Sequence, residues 1–392
     1  MAIKLELATI HDIGKNHRHD SARLAAAPYR REFIKSLIQR KAYLLENENY
    51  YLRNVIDGAS LDPNLVSPEL RFCRTRDDYD LFDFLSTWSS FPAVDRPGRR
   101  LKFFIVDTGH AGSPIMALGC LSSAIRLLEA RDDWISWREP KWREIRARKL
   151  AYIMDLSTCV GIPPYSYLTS GKLVCYTCLS QELRQAYSDR YGFRPTEKLG
   201  RFIKDIALVV VLGTFGSNTP QYKGISIKGQ NYFEFIGYTK GYSTFHIPAN
   251  SYNEFLATLD IDRLREKRRL PGGANPKLRM LRLIARKLQL DEEQFVRSGY
   301  RRAVFVAPLA HNSKAFLLGE DDSLDYFDYS LEEVVDAWKQ KWLWRRWEDR
   351  EVVERVRSFT RLQLSLKSEF SSLTISSQNS LNVRNGVVVL SK

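Results

Sequence analysis

Gly171 and Lys172 open a helical pattern, Lys172 to Arg190, after a strand pattern, Ala151 to Ile162, and a Pro163-Pro164-Tyr165 break. The unpaired N–H groups of a first helical turn and the helix dipole both favour negative charge. This strand–loop–helix unit could therefore hold a phosphate or carboxylate. Tyr165, Ser170, Gly171 and Lys172 are its candidate anion- or cofactor-binding residues. The spacing is not that of a P-loop, since no glycine lies five residues before Gly171 and no Ser or Thr follows the lysine. ATP hydrolysis is not expected at this point.

A second chemistry is suggested by charge. Arg263 to Lys287 carries ten Lys or Arg against one Glu. Its second half is an amphipathic helix: Leu278, Leu281, Ile284 and Leu288 face a core, while Lys277, Arg279, Arg282 and Arg286 point away. The PGGANP loop before it leaves the helix N-terminus open to an anion. Such a helix can track a phosphate backbone. Arg138 to Lys149 is a second basic stretch, with Arg138 and Arg143 as candidate contacts just after Trp134 and Trp137. Cations beside aromatics can neutralise phosphates and stack on bases, although tryptophan more often anchors a helix to a sheet.

Other reactive side chains read as structural. Cys175 and Cys178 form a CxxC inside a helical pattern, with Cys159 the only nearby third thiol. Burial is favoured over metal, and no metal is expected. His17 and His19 lack a carboxylate framework beyond Asp12 and Asp20. Asp132 and Asp133 cap a turn more readily than they form a dyad. His246, between aromatic neighbours, reads as a core histidine. No Ser-His-Asp or Cys-His order can be assembled, so no catalytic residue is assigned.

These residues need a sheet to hold them. Residues 1 to about 90 read as a helical opening, with Phe33, Leu37 and Leu44 on one face. Arg100 to Asp107 and Ser113 to Cys120 read as strands joined by the turn TGHAG, followed by helical patterns at 121–130 and 138–149. Ile206 to Leu212 is a continuous run of the kind buried on both faces. Gln230 to Tyr238 and Ser243 to Ile247 suggest a strand pair, and the chain then reads as mainly helical from Asn250. Leu331, Val335, Trp338 and Trp342 lie on one helix face. The fold class is α/β or α+β, a central mixed sheet flanked by helices with helical N- and C-terminal regions. The expected divisions are a helical region at 1–94, the sheet domain at 95–260, a basic helical region at 261–366 and a polar tail at 367–392.

The totals agree with a basic, globular, reduced protein. Lys and Arg outnumber Asp and Glu by 60 to 46, a net charge of +14 that favours a polyanionic partner, nucleic acid ahead of a membrane. Five cysteines at irregular spacing suit free thiols. The first residues contain no apolar signal core, and the longest apolar run, Ile206 to Leu212, is too short to span a bilayer. A cytoplasmic location without a membrane partner is expected.

Four motifs in order carry a resemblance: RDDWISW from Arg131, MDLSTCVGIPPYSYLTSGKLVC from Met154, GQNYFEFIGYTKGYSTFHIP from Gly229 and GGANPKLRMLRLIARKLQL from Gly272. Over roughly Pro92 to Asn312 the chain resembles the DruA family of the Druantia anti-phage defence systems. The resemblance implies a component of a multi-gene bacterial antiviral system, with other Druantia proteins, including a very large helicase-like subunit, as partners. The middle region is also similar to the GNAT acyltransferase fold, in which a strand leads into a pyrophosphate loop and a helix. That likeness implies coenzyme A as cofactor and acyl transfer to DNA or a partner protein. The usual Gln/Arg-x-x-Gly-x-Gly/Ala loop is not matched, because Tyr167 to Lys172 holds one glycine. Two function readings follow: a defence component that binds nucleic acid or a nucleoprotein complex, or a GNAT-like acyltransferase.

Overall fold

The structure is a computed structural model that describes residues 19–92, 98–196, 200–214, 219–241, 276–287, 289, 291–296 and 301–368. Its centre is a seven-stranded sheet built from β1 (Pro68–Phe72), β2 (Arg100–Asp107), β3 (Ile115–Ser123), β4 (Ile153–Gly161), β5 (Leu208–Gly213), β6 (Glu234–Tyr238) and β7 (Ala303–Pro308). Strand order is β1-β2-β3-β4-β5-β7-β6. All neighbours run antiparallel except β4 and β5, which pair in parallel. This is the mixed sheet flanked by helices that the pattern called for.

Strand alternation divides the core between two faces. Leu101, Phe103 and Ile105 of β2, with Val209 and Val211 of β5, face one cluster. Helices α5 (Ser170–Thr177) and α10 (Leu331–Trp338) pack into that cluster. On the opposite face, Phe104 and Val106 meet α1 (His19–Arg40) and α2 (Arg76–Ser86). Farther along the same face, Leu208, Val210, Val304 and Val306 meet α3 (Glu129–Ile135) and α9 (Ser313–Leu318). Leu37 and Leu44 are buried and Phe33 packs beside them.

Several expected boundaries move. The helical opening also contributes β1, which pairs with β2 from Pro68 opposite Asp107 to Phe72 opposite Phe103. The helix expected at 121–130 starts later, because Leu121 and Ser122 continue β3 against Leu101 and Arg100. The helix after the loop splits into α5 and α6 (Gln181–Tyr191), since the Ser180 hydroxyl accepts from the Leu183 N–H and starts a new helix. β7 lies in a region read as helical, its apolar run AVFVAP buried on both faces between β5 and β6. Residues 242–275, including the second strand of the expected pair, lie outside the described residues. No helix among the described residues is long and apolar enough to cross a membrane.

Candidate functional site

The strand–loop–helix unit forms as the sequence suggests: β4 ends at Gly161, and α5 begins at Ser170 with Gly171 and Lys172 in its first turn. Gly161 is required by the close approach of these two pieces. A Cβ there would sit 2.6 Å from Ser170 Oγ and 2.8 Å from the Gly171 nitrogen. β4 and β5 pair only from Ile153–Leu208 to Asp155–Val210. Beyond that register the chain itself occupies the end of β4. The Gln221 amide donates to the Cys159 carbonyl at 2.6 Å and lies against Gly171.

The polar groups of the candidate loop turn inward. Tyr165, fully buried, donates to Asp107 Oδ2 at 2.6 Å, and burial with the neighbouring carboxylate raises its pKa. Ser170 Oγ donates to the Met116 carbonyl at 2.8 Å. Lys172 Nζ donates to the carbonyls of Pro220 and Lys223, the latter at 2.6 Å, and lies 4.0 Å from the Trp342 ring centroid. Burial pushes this ammonium down to about 8. The Lys172 charge thus clamps the segment after β5 against α5.

Cys175 and Cys178 are poorly suited to nucleophilic chemistry. Burial pushes Cys175 and Cys178 well above the ordinary thiol value, and Cys178 donates to the Val174 carbonyl. Cys159 Sγ lies 3.8 Å from Cys175 Sγ. His17, His19's side chain and His246 lie outside the described residues.

RDDWISW is a structural motif. Arg131 is fully buried; its guanidinium donates to Asp132 Oδ1 and to the Ile125 and Arg126 carbonyls. Asp132 also faces Arg146 at 3.4 Å. Asp132 is therefore one end of a buried ion pair inside α3, whereas the turn cap was expected of it. Trp137 is buried and donates to the Leu317 carbonyl. Both observations place Arg131, Asp132 and Trp137 in the core, while Asp133 and Ser136 are exposed.

The basic stretches form helices. α4 (Arg143–Lys149) exposes Arg143 and Arg148, while Arg138 just before it pairs with Glu129 and Asp133. α7 (Pro276–Lys287) buries Leu281, Ile284 and Ala285 completely. Arg286 is exposed and paired with Glu292 of α8 (Glu292–Val296), and Arg282 lies 4.0 Å from Glu293. Lys277 and Arg279 belong to α7, but their side chains lie outside the described residues, as do Arg263 to Asn275, Leu278 and Leu288.

Sequence reading missed the hub at Asp107. This fully buried carboxylate accepts from Tyr165, His110 Nδ1 and the backbone N–H groups of Ser67 and Gly109. His110 Nε2 in turn accepts from the Asp62 N–H at 3.0 Å. Both ring nitrogens are engaged, so the hub fixes the TGHAG turn and offers no base. The only sequence signal was an Asp and a His three apart at a strand end. Gln221, distant in sequence from β4, left no signal.

The family model for the Druantia protein DruA matches residues 21–319. A Druantia protein DruA of Escherichia coli (strain UMEA 4076-1) is 25% identical over 342 residues, covering 83% of this chain and 82% of that protein. No solved structure matches. The family match begins inside α1, ends just past α9 and takes in all seven strands of the sheet, and on this basis the chain belongs to the DruA family.

Proposed function

We propose that this DruA family member, a component of the Druantia anti-phage defence system, acts by binding nucleic acid through its basic helices, α7 above all. The observation that carries this reading is the two-sided character of α7. Its apolar side is fully buried at Leu281, Ile284 and Ala285, while Arg286 is exposed and Arg282 partly so. The carboxylates of α8 are its present counter-ions, and exposed pairs of this kind hold weakly. A phosphate can displace them.

The test is a salt titration of binding to a labelled duplex. The variant R279Q/R282Q/R286Q should bind more weakly and show a shallower slope of log K against log salt. The expected reduction is about 0.9 for each phosphate that the variant no longer neutralises. An unchanged slope would exclude this surface.

The acyltransferase reading is favoured by one feature, the one parallel strand pair among the described strands, with β4 leading into a loop and helix. The residues at that end do not fit a coenzyme A pyrophosphate as arranged. Gln221 packs against Gly171, and Tyr165, Ser170 and Lys172 are committed to internal acceptors. A rise in melting temperature with coenzyme A would revive that reading.

A further inference from the structure

Between α6 and β5 the chain doubles back, with Pro195 opposite Phe202 in an antiparallel bridge. The Thr196 N–H donates to the Arg201 carbonyl at 2.8 Å, closing the pair. Phe193 is 84% exposed and Phe202 is 61% exposed, while Ile203 beside Phe202 is 2% exposed. Strand alternation thus sends Ile203 into the core and Phe202 and Lys204 into water. Burying a phenylalanine ring is favourable, and this hairpin forgoes that gain at two positions. Single exposed apolar side chains are ordinary, but two rings on one small hairpin mark a contact surface.

The surroundings specify the partner. Arg194 and Lys204 are exposed next to the two rings. Arg201 donates to the Arg148 carbonyl at 2.7 Å, which joins the hairpin to the C-terminal end of α4, where Arg148 is exposed, with Arg143 exposed at the other end of the helix. Glu144 is the acidic exception on that helix. On the other flank, Arg194 edges a cavity of about 620 Å³ whose wall mixes Arg74 and Arg190 with Glu182 and Asp189. The mixed signs there make a poor phosphate seat, so backbone neutralisation falls to the α4 side. Protein interfaces are depleted of charge at their apolar cores, whereas here exposed Arg194 and Lys204 flank the rings along the chain. Exposed rings with exposed cations beside them in the chain match the base faces and phosphates of a single strand; a duplex hides those faces by stacking.

We propose that α4 and the hairpin bearing Phe193 and Phe202 form a platform for single-stranded nucleic acid, with the two rings stacking on bases and the α4 cations following the backbone. This proposal rests on the nucleic-acid reading above and adds the strand class and the contact residues.

The test measures fluorescence anisotropy of a labelled oligothymidylate of about 20 nucleotides and of a duplex of the same length, with the full chain. F193A/F202A should raise the single-strand Kd by about 10-fold or more. Its duplex affinity and salt slope should stay unchanged, because neither ring carries charge. F193W/F202W should restore binding, with emission quenched by the oligonucleotide. If F193A/F202A binds the single strand like the wild type while duplex binding persists, the platform is overturned and the parent reading stands. A wild-type chain without affinity for either strand overturns both. If light scattering shows a wild-type dimer that the alanine variant dissociates, the rings belong to a second copy and the platform is overturned.

Discussion

Lys172 shows how one residue type can carry two opposite meanings. At the head of a helix it reads as a mobile charge for an anion, yet its ammonium is held by the carbonyls of Pro220 and Lys223 under the Trp342 ring. K172M removes the donor but keeps the apolar stem, leaving two carbonyls unpaired. A stability loss of about 1–3 kcal/mol is expected from urea unfolding above pH 10.5, where the lysine is neutral in both states and its amine still donates. The pH dependence has a definite sign. Burial lowers the folded pKa to about 8 from 10.5, so between these values the unfolded chain binds more protons. This group's contribution therefore rises with pH across that window and is lost as pH falls through 8. K172M should show a flatter stability profile from pH 8 to 10.5; equal slopes would contradict the burial argument.

At the level of elements, α10 ties the C-terminal part to the candidate loop. Ser330 and Glu333 form a capping box that fixes its start. Trp338 is fully buried and donates through Nε1 to the Thr169 carbonyl, directly before α5. W338A should cost about 3–5 kcal/mol, read from chemical denaturation. Free iodide quenching of this indole in the native protein would contradict the packing. Leu331, Val335 and Trp338 were legible because a 3.6-residue period survives in the sequence. β7 was not, because AVFVAP is apolar throughout and a fully buried strand shares that pattern with a buried helix.

Across the molecule, residues 359–367 close over the first helices. Arg361 donates to Asp57 Oδ2 through Nε and Nη2, and its backbone N–H donates to Asp57 Oδ1. Buried Glu48 accepts from the Lys367 N–H and the Ser365 hydroxyl. Phe359, Leu364 and Leu366 join the core of the first helices. The Arg361 guanidinium holds the Asp57 carboxyl below its ordinary value. A depressed carboxylate stabilises the fold above its unfolded pKa, and that stabilisation is lost as pH falls through the folded pKa. D57N should be less stable than the wild type at pH 7, and the gap should close under strong acid. A gap that persists unchanged at acid pH would show that the pair contributes nothing.

The sequence by itself determined features written in neighbouring residues. These include the strands on either side of TGHAG, the buried run of β5, the helix start at Gly171–Lys172 and the ordered motifs of the DruA family. Period, turn chemistry and motif order are local, so they can be read without a fold. Tertiary structure alone decided where polar groups point. Lys172 finds its carbonyls and Gln221 finds Cys159 across long stretches of chain, and Arg361 reaches Asp57 from the far end. A buried donor must be paired, but which acceptor pairs it depends on elements brought together only by packing. For the same reason the exposure of Phe193 and Phe202 could not be read from an ordinary mixed segment: their neighbours in space, not in sequence, leave them in water.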